Sequence, residues 1–302
     1  MLNRLLVEPS ECEVVHGNDI DGSNDRLIAR IDADDPRAEH CREQLRAQDG
    51  QTIRAGILDG GATDSASLHW ETDAAGPTGP SGRTGRPGRD VAAPLRLELG
   101  SAALLDPVRE DCRPRVDVLL AMPRPLQFGR LLTMLSSMGV GTLWATGAAK
   151  VERRYFSSHL IRDDDKGRAA LRAALVEGLV QSGDTAVPRV VVCKSLKRAL
   201  YDVSDGEAEG GSPTVRLVCH PERQGQPPVR RLRQALADLA PDARVLLAIG
   251  PEGGWEEPGE LELLAAHGFE QVTLGKRTLR TDVAAISLLA ITHEMLTASD
   301  DE

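Results

Sequence analysis

Six short apolar runs between residues 116 and 275 limit what this chain can fold into: VDVLLAM (116–122), TLWAT (142–146), RVVVC (189–193), TVRLVC (214–219), RVLLAIG (244–250) and QVTLG (271–275). Hydrophobicity that is continuous rather than alternating is what a strand covered on both faces requires. Segments of helical period separate several of the runs. Phe128, Leu131, Leu132, Leu135 and Met138 lead up to Gly139, and Leu171, Leu175, Val176 and Leu179 lead up to Gly183. Val229, Leu232, Leu236 and Leu239 predict a helix before Pro241, and Leu261, Leu264 and Ala265 predict one between Pro258 and Gly268. Residues 283–297 predict a closing helix. Strands alternating with helices make a parallel sheet with crossover helices, an α/β fold.

The first third of the chain has a different texture. Residues 1–112 are poor in helical period and rich in Gly, Asp and short alternating segments such as QTIRAGILDG (51–60), which predicts a small β-rich domain ahead of an α/β domain over 113–302. A chain of 302 residues accommodates both. Within the first domain, GPTGPSGRTGRPGRD (76–90) places Gly76, Gly79, Gly82, Gly85 and Gly88 at the collagen period. Five triplets are too few to hold a triple helix, so the stretch reads as an inserted loop. Its Arg83, Arg86 and Arg89 precede any balancing acid until Asp90, which leaves open both a solvated loop and a basic arm for a phosphate backbone.

Charge and cysteine usage narrow the function. With 36 Lys and Arg against 46 Asp and Glu, the net charge is −10, so binding to nucleic acid calls for a local patch. Lys150, Arg153 and Arg154 form one basic trio that reads as a solvated face or a steering patch for RNA. Five scattered cysteines form no C-x-x-C pair, and no His and Cys spacing predicts a metal site. The start MLNRLLVEPSECEV lacks the long apolar core of a signal peptide, and no stretch reaches transmembrane length, so a soluble protein of a reducing compartment, the cytoplasm or an organelle matrix, is expected. The eight aromatic residues form no cluster of the kind that stacks single strands.

Two glycine-rich turns carry the chemistry. LLAIGPEGGW (246–255) is a buried strand that breaks into a turn nearly bare of side chains, and LGKRTLRTDVAA (274–285) again joins an apolar strand to a helix. In an open α/β sheet ligands lie beyond the carboxyl ends of strands, and glycine lets the backbone approach them closely. Neither turn matches G-x-x-x-x-G-K-[ST] or a G-x-G-x-x-G that opens a helix, so a phosphate cradle is not indicated. A cofactor with an adenine and no pyrophosphate, such as S-adenosylmethionine, suits them better.

These residues also carry a family resemblance. LLAIGPEGGWEEPGELELLAAHGFEQVTLGKRTLRTDVAAISLLA (246–290) is similar to the carboxyl-terminal signature of the RsmE family, 16S ribosomal RNA (uracil-N3) methyltransferases of the SPOUT superfamily. VEGLVQSGDTAVPRV resembles a second family segment, and DPRAEHCREQLRAQDGQTIRAG resembles, more loosely, its PUA-like β-barrel. The resemblance implies a PUA-like RNA-binding domain followed by a parallel sheet with a carboxyl-terminal trefoil knot, acting as a homodimer on ribosomal RNA or the small ribosomal subunit, with no metal and no membrane. It implies a site for S-adenosylmethionine with Leu247, Ile249, Gly250, Pro251, Glu252, Gly253 and Gly254 on one wall. Leu274, Gly275, Arg277, Leu279, Arg280, Asp282 and Ala284 form the other, with main-chain groups of Leu274 and Leu279 on the adenine. Arg280 is the expected catalytic group, favouring the anionic uracil; an ion pair with Asp282 is its alternative role. Glu252 is expected to cap a helix rather than to act as a base. The sequence departs from the family pattern where Asp282-Val283 replaces Glu-Thr and Asp184 replaces an arginine. Two alternatives therefore stand beside the methyltransferase reading: an RNA-binding or ribosome-assembly factor of the same fold without turnover, and a methyltransferase for another RNA.

Overall fold

The computed structural model describes residues 4–16, 25–71, 93–207, 214–222, 228–237, 239–240 and 242–298. The glycine-triplet stretch 76–90 lies outside the described residues. The chain divides into two compact units, one of residues 1–110 with 183–185 and one of 111–182 with 186–302.

The first unit is built on a six-stranded sheet of β1 (Leu5–Val7), β2 (Cys12–Val15), β3 (Arg26–Ile31), β4 (Gln51–Ile57), β5 (Ala62–Trp70) and β6 (Leu95–Ser101), in the order β1-β4-β5-β6-β3-β2. All pairs are antiparallel except β1 with β4. Alternation does the sorting: Leu95, Leu97 and Leu99 of β6 are buried, with half-buried polar neighbours between them. They pack with Leu5, Leu27, Ile31, Ile57 and Leu68 into one core. The short helix α1 (Pro36–Glu39) opens on Asp35, whose carboxylate accepts from Arg37 N (2.7 Å). The Arg37 guanidinium also binds Asp35 (2.7 Å) and Glu11, tying α1 to the segment after β1.

The second unit contains β7 (Val116–Ala121), α2 (Pro125–Ser137), β8 (Thr142–Thr146), α3 (Asp165–Ser182), β9 (Arg189–Cys193), α4 (Leu196–Glu207), β10 (Thr214–Cys219), β11 (Arg230–Arg231), α5 (Leu232–Ala235), β12 (Arg244–Ile249), α6 (Gly259–Ala266), β13 (Glu270–Thr273) and α7 (Thr281–Ala298). Its seven strands run parallel in the order β11-β13-β10-β12-β7-β8-β9. The continuous apolar runs now have a cause. Val245, Leu247 and Ile249 of β12 pack with Val118 and Leu120 of β7 against α2 and α7, while Leu246 and Ala248 pack with Leu119 and Ala121 against α4 and α6. Both faces of the central strands are covered, so their positions are apolar apart from the amino end of β7, where Asp117 pairs with Arg244 (3.1 Å).

Two segments differ from the sequence expectation. The helix expected from Val229 to Leu239 is a single turn, α5, because Arg230 and Arg231 are extended and pair with Val272 and Thr273 of β13. The helix α4, which the sequence reading left out, buries Leu196, Ala199, Leu200 and Val203 at helical spacing.

The Arg37 guanidinium holds the Asp35 carboxyl below the usual carboxylate range. A carboxyl lowered in the folded state contributes stability above its unfolded value and loses it as pH falls through the folded one. Asp35→Ala is therefore expected to destabilise the first unit by about 1 kcal/mol at neutral pH. In urea unfolding the difference from the parent should shrink once pH drops below the ordinary carboxylate range.

Candidate functional site

Three turns meet at the carboxyl ends of neighbouring strands. One follows β12 (Gly250 to Trp255), one follows β13 (Leu274 to Arg280), and the third, Cys219-His220-Pro221, follows β10, the strand lying between those two. With the first turns of α7 they line a hollow of about 640 Å³, part of it open to solvent. Ile249, Val272, Leu274, Leu279, Ala284 and Leu288 give it apolar walls, and Thr273, Thr278, Thr281 and His220 supply polar groups.

The turn after β12 is held from outside itself. Lys150 Nζ donates to Gly253 O (2.9 Å) and Trp255 O (3.2 Å). Glu260 of α6, 8% exposed, accepts from Ala149 N and Glu256 N, each at 2.7 Å. Gly254 N closes the turn on Pro251 O (2.8 Å), and Gly254 has φ +70°, which favours glycine. Below the turn Trp255 is fully buried. The turn after β13 is fixed by Thr273 Oγ1, which accepts from Gly275 N (3.1 Å) and donates to Gly275 O (3.0 Å). Gly275 has φ +128°, and a Cβ there would meet nothing within 4 Å. The third turn is anchored by His220, whose ring pairs with the Glu257 carboxylate and whose amide donates to Val272 O (3.2 Å). Burial pushes the neighbouring Cys219 thiol up, so it stays protonated at neutral pH.

Ile249, Gly250, Pro251, Glu252, Gly254, Leu274, Gly275, Arg277, Leu279 and Ala284 all line the hollow. Four other singled-out residues lie off it. Leu247 is buried inside β12, in the core shared with α2 and α7. Gly253 is turned to Lys150, whose Cδ lies 3.1 Å from where a Cβ would stand. Arg280 and Asp282 line an adjoining cleft with Arg124, Gln127, Glu252 and Thr281. Glu252 and Thr281 belong to both spaces. Asp282 is the hub of the cleft, accepting from Arg280 Nη2 (3.0 Å), Gln127 Nε2 (2.9 Å) and Val283 N (2.9 Å). Glu252 does not cap α6: its N-cap is Pro258, with no side-chain cap, and Glu252 instead pairs with Arg124 (3.3 Å).

The sequence reading missed His220, Thr273, Thr281 and Leu288. The available signal was the apolar run TVRLVC ending in His-Pro, a strand stopping at a turn, but placing that turn in the site requires knowing that β10 separates β12 from β13. Among the described residues no group of three or more His, Cys, Asp or Glu is arranged to hold a metal, and no helix is long and apolar enough to cross a membrane.

A parallel sheet with a hollow at the carboxyl ends of its strands, walled by turns of little bulk, defines an α/β protein that takes its ligand at the strand ends. Comparison with known proteins makes this particular. Residues 110–293 match the RNA methyltransferase domain family. The chain belongs to that family, in its RsmE branch. It is 27% identical to the ribosomal RNA small subunit methyltransferase E of Treponema pallidum, over 96% of this chain and 90% of that protein. It is 24% identical to ribosomal RNA small subunit methyltransferase E 1 of Borreliella burgdorferi, over 59% of this chain and 67% of that one. In fold it is similar to the ribosomal RNA small subunit methyltransferase E of Neisseria gonorrhoeae solved bound to S-adenosyl methionine, with a TM-score of 0.61, 18% identity and 98% of each chain covered.

Removing the Glu260 carboxylate strands two main-chain N–H groups. Glu260→Ala is expected to cost about 1–3 kcal/mol in denaturant unfolding and to speed amide exchange at Ala149 and Glu256. Glu262→Ala, on the exposed side of the same helix, should cost less than about 0.5 kcal/mol.

Proposed function

We propose that the chain is an S-adenosylmethionine-dependent methyltransferase of small-subunit ribosomal RNA, with N3 of a uridine as the methyl acceptor. The observation that carries the reading is the hollow formed where three turns meet, two of them glycine-rich, in a chain of this family. Two features of its wall suit an adenosyl ligand. Trp255 Nε1 is buried without a hydrogen-bond partner among the described residues, a donor for which a ligand heteroatom would serve as acceptor. At Gly275 the wall opens where any side chain would begin. Apolar Leu274, Leu279 and Leu288 offer faces to a flat base, and main-chain groups of Leu274 and Leu279 are assigned its hydrogen bonds.

When bound, S-adenosylmethionine supplies an electrophilic methyl group. The remaining tasks fall to the chain, chiefly alignment of the acceptor ring. The N3 proton of uracil leaves only well above neutral pH, so a fixed cation that favours the anionic ring accelerates transfer. Arg280 is assigned that role, with Asp282 and Gln127 setting its position in the cleft beside the hollow. The ion pair with Asp282 and the catalytic role are thus compatible: one carboxylate oxygen holds one edge of the fork, and the other donors remain for the ring oxygens.

The first unit is assigned as a PUA-like RNA-binding domain, a reading supported by its compact, mostly antiparallel sheet. A trefoil knot is assigned to the region from β12 to α7, where β13 pairs on the far side of β10 from β12. Homodimerisation and a cytoplasmic setting follow from the same family reading.

Arg280→Ala is expected to lower kcat by about 10²–10³-fold while leaving the affinity for S-adenosylmethionine nearly unchanged, because Arg280 lines the cleft and not the hollow. Ala284→Trp, which fills the hollow, should instead abolish cofactor binding in calorimetry. Nucleoside mass spectrometry of ribosomal RNA from a deletion strain should show loss of a 3-methyluridine peak. An unchanged peak would exclude this substrate and leave the assembly-factor reading.

A further inference from the structure

Beyond the cleft that holds Arg280 lies a second one, lined by Arg124, Pro125, Arg154 and Tyr155. Arg124 belongs to both, so hollow, cleft and this outer notch follow one another through shared walls: Glu252 and Thr281 between the first two, Arg124 between the last two. The outer notch sits where the chain leaves β7 for α2 and where the turn after β8 passes. Its side chains are oriented by carboxylates. Glu152 accepts from Arg154 Nε (2.6 Å) and from the Tyr155 hydroxyl (3.0 Å), and Glu252 forms an ion pair with Arg124 (3.3 Å). Arg154 thus spends its Nε on an acid, while Arg124, ion-paired with Glu252, donates to the Tyr155 hydroxyl, and the donors that remain on each fork are what a phosphate takes up. Tyr155 is half-buried beside them, a ring fixed at its hydroxyl end.

Two forks for phosphate with an anchored aromatic ring are the parts that bind a nucleotide of a single strand, through backbone contact and base stacking. We propose that this notch seats the nucleotide flanking the methyl acceptor in a single-stranded stretch of RNA, its phosphate on Arg124 and Arg154 and its base stacked on Tyr155. The inference rests on the methyltransferase reading for the identity of the acceptor, but its binding site is independent of turnover. It also gives a place to part of the basic trio: Arg154 lines the notch, while Lys150 is spent on the glycine-rich turn. Because Glu152 and Glu252 balance two of the arginines, the notch selects by hydrogen bonds and stacking more than by bulk positive charge.

The test uses the full chain and fluorescence anisotropy with a single-stranded pentaribonucleotide centred on uridine, together with two versions made abasic on the 5′ or the 3′ side of the centre. Tyr155→Ala is expected to weaken binding of the intact pentamer by roughly 5- to 150-fold, and Tyr155→Phe to restore most of it, since the ring and not the hydroxyl stacks. One abasic pentamer should bind the parent more weakly than the intact one does, yet bind Tyr155→Ala no worse than the intact one. Arg154→Ala should reduce the slope of log K against log salt by about 0.7. Calorimetry with S-adenosylmethionine should be unchanged in Tyr155→Ala and Arg154→Ala, which checks that they are folded. Equal affinities of parent and Tyr155→Ala for the intact pentamer, or an identical loss with both abasic versions, would overturn the proposal. If the parent binds the pentamer in this pattern but methylates no ribosomal RNA, the enzymatic reading fails and the notch stands as an RNA site.

Discussion

A turn of sequence Gly-Pro-Glu-Gly-Gly has too little side chain to hold its own shape, and the site depends on how that shape is held. Glycine gives up more conformational freedom on ordering than any other residue, so contacts from elsewhere must fix the turn. Lys150 reaches the carbonyls of Gly253 and Trp255, and the buried Glu260 takes the amides of Ala149 and Glu256. One carboxylate and one ammonium thus join the end of β8, the turn after β12 and the start of α6. Bulk stays out of the hollow because the fixing groups lie outside it, and Gly253 faces Lys150 rather than the ligand space.

Much of the second unit was legible in the sequence because burial on both faces leaves an unmistakable trace. Leu246 and Leu247 go to opposite cores, so neither can be polar, and a continuous run results. The turns were legible for the complementary reason, since glycine at a strand end marks a place without bulk. What could not be read depends on sheet order and long-range contact. His220 enters the site only because β10 lies between β12 and β13. Lys150 and Glu260 act on main-chain groups 103 and 111 positions away, and no local pattern encodes such a pairing. The helical period from Val229 to Leu239 misled because strand pairing of Arg230 and Arg231 with β13 outweighed it. Glu252 misled in another way. Proximity to a helix start implied a cap, but α6 begins further along and Glu252 is taken by Arg124.

The electrostatics fit a protein of net charge −10 that handles a polyanion. Arg280 is paired with Asp282, Arg124 with Glu252 and Arg154 with Glu152. Exposed pairs of this kind add little stability, but a tethered guanidinium presents its remaining donors in a set direction. Recognition at this edge then rests on placed donors, with carboxylates limiting non-specific attraction to nucleic acid. Asp282 also binds Gln127, so Arg280 and α2 are set by a single side chain.

On the proposed function, the turns after β10, β12 and β13 together grip the methyl donor. A crystal structure of the protein with S-adenosylmethionine tests it most directly. The prediction is density for the whole ligand between Ile249–Gly254 and Leu274–Leu279, with its base against Leu274 and Leu279. Density elsewhere on the chain, or a hollow closed by the protein's own side chains, would contradict it.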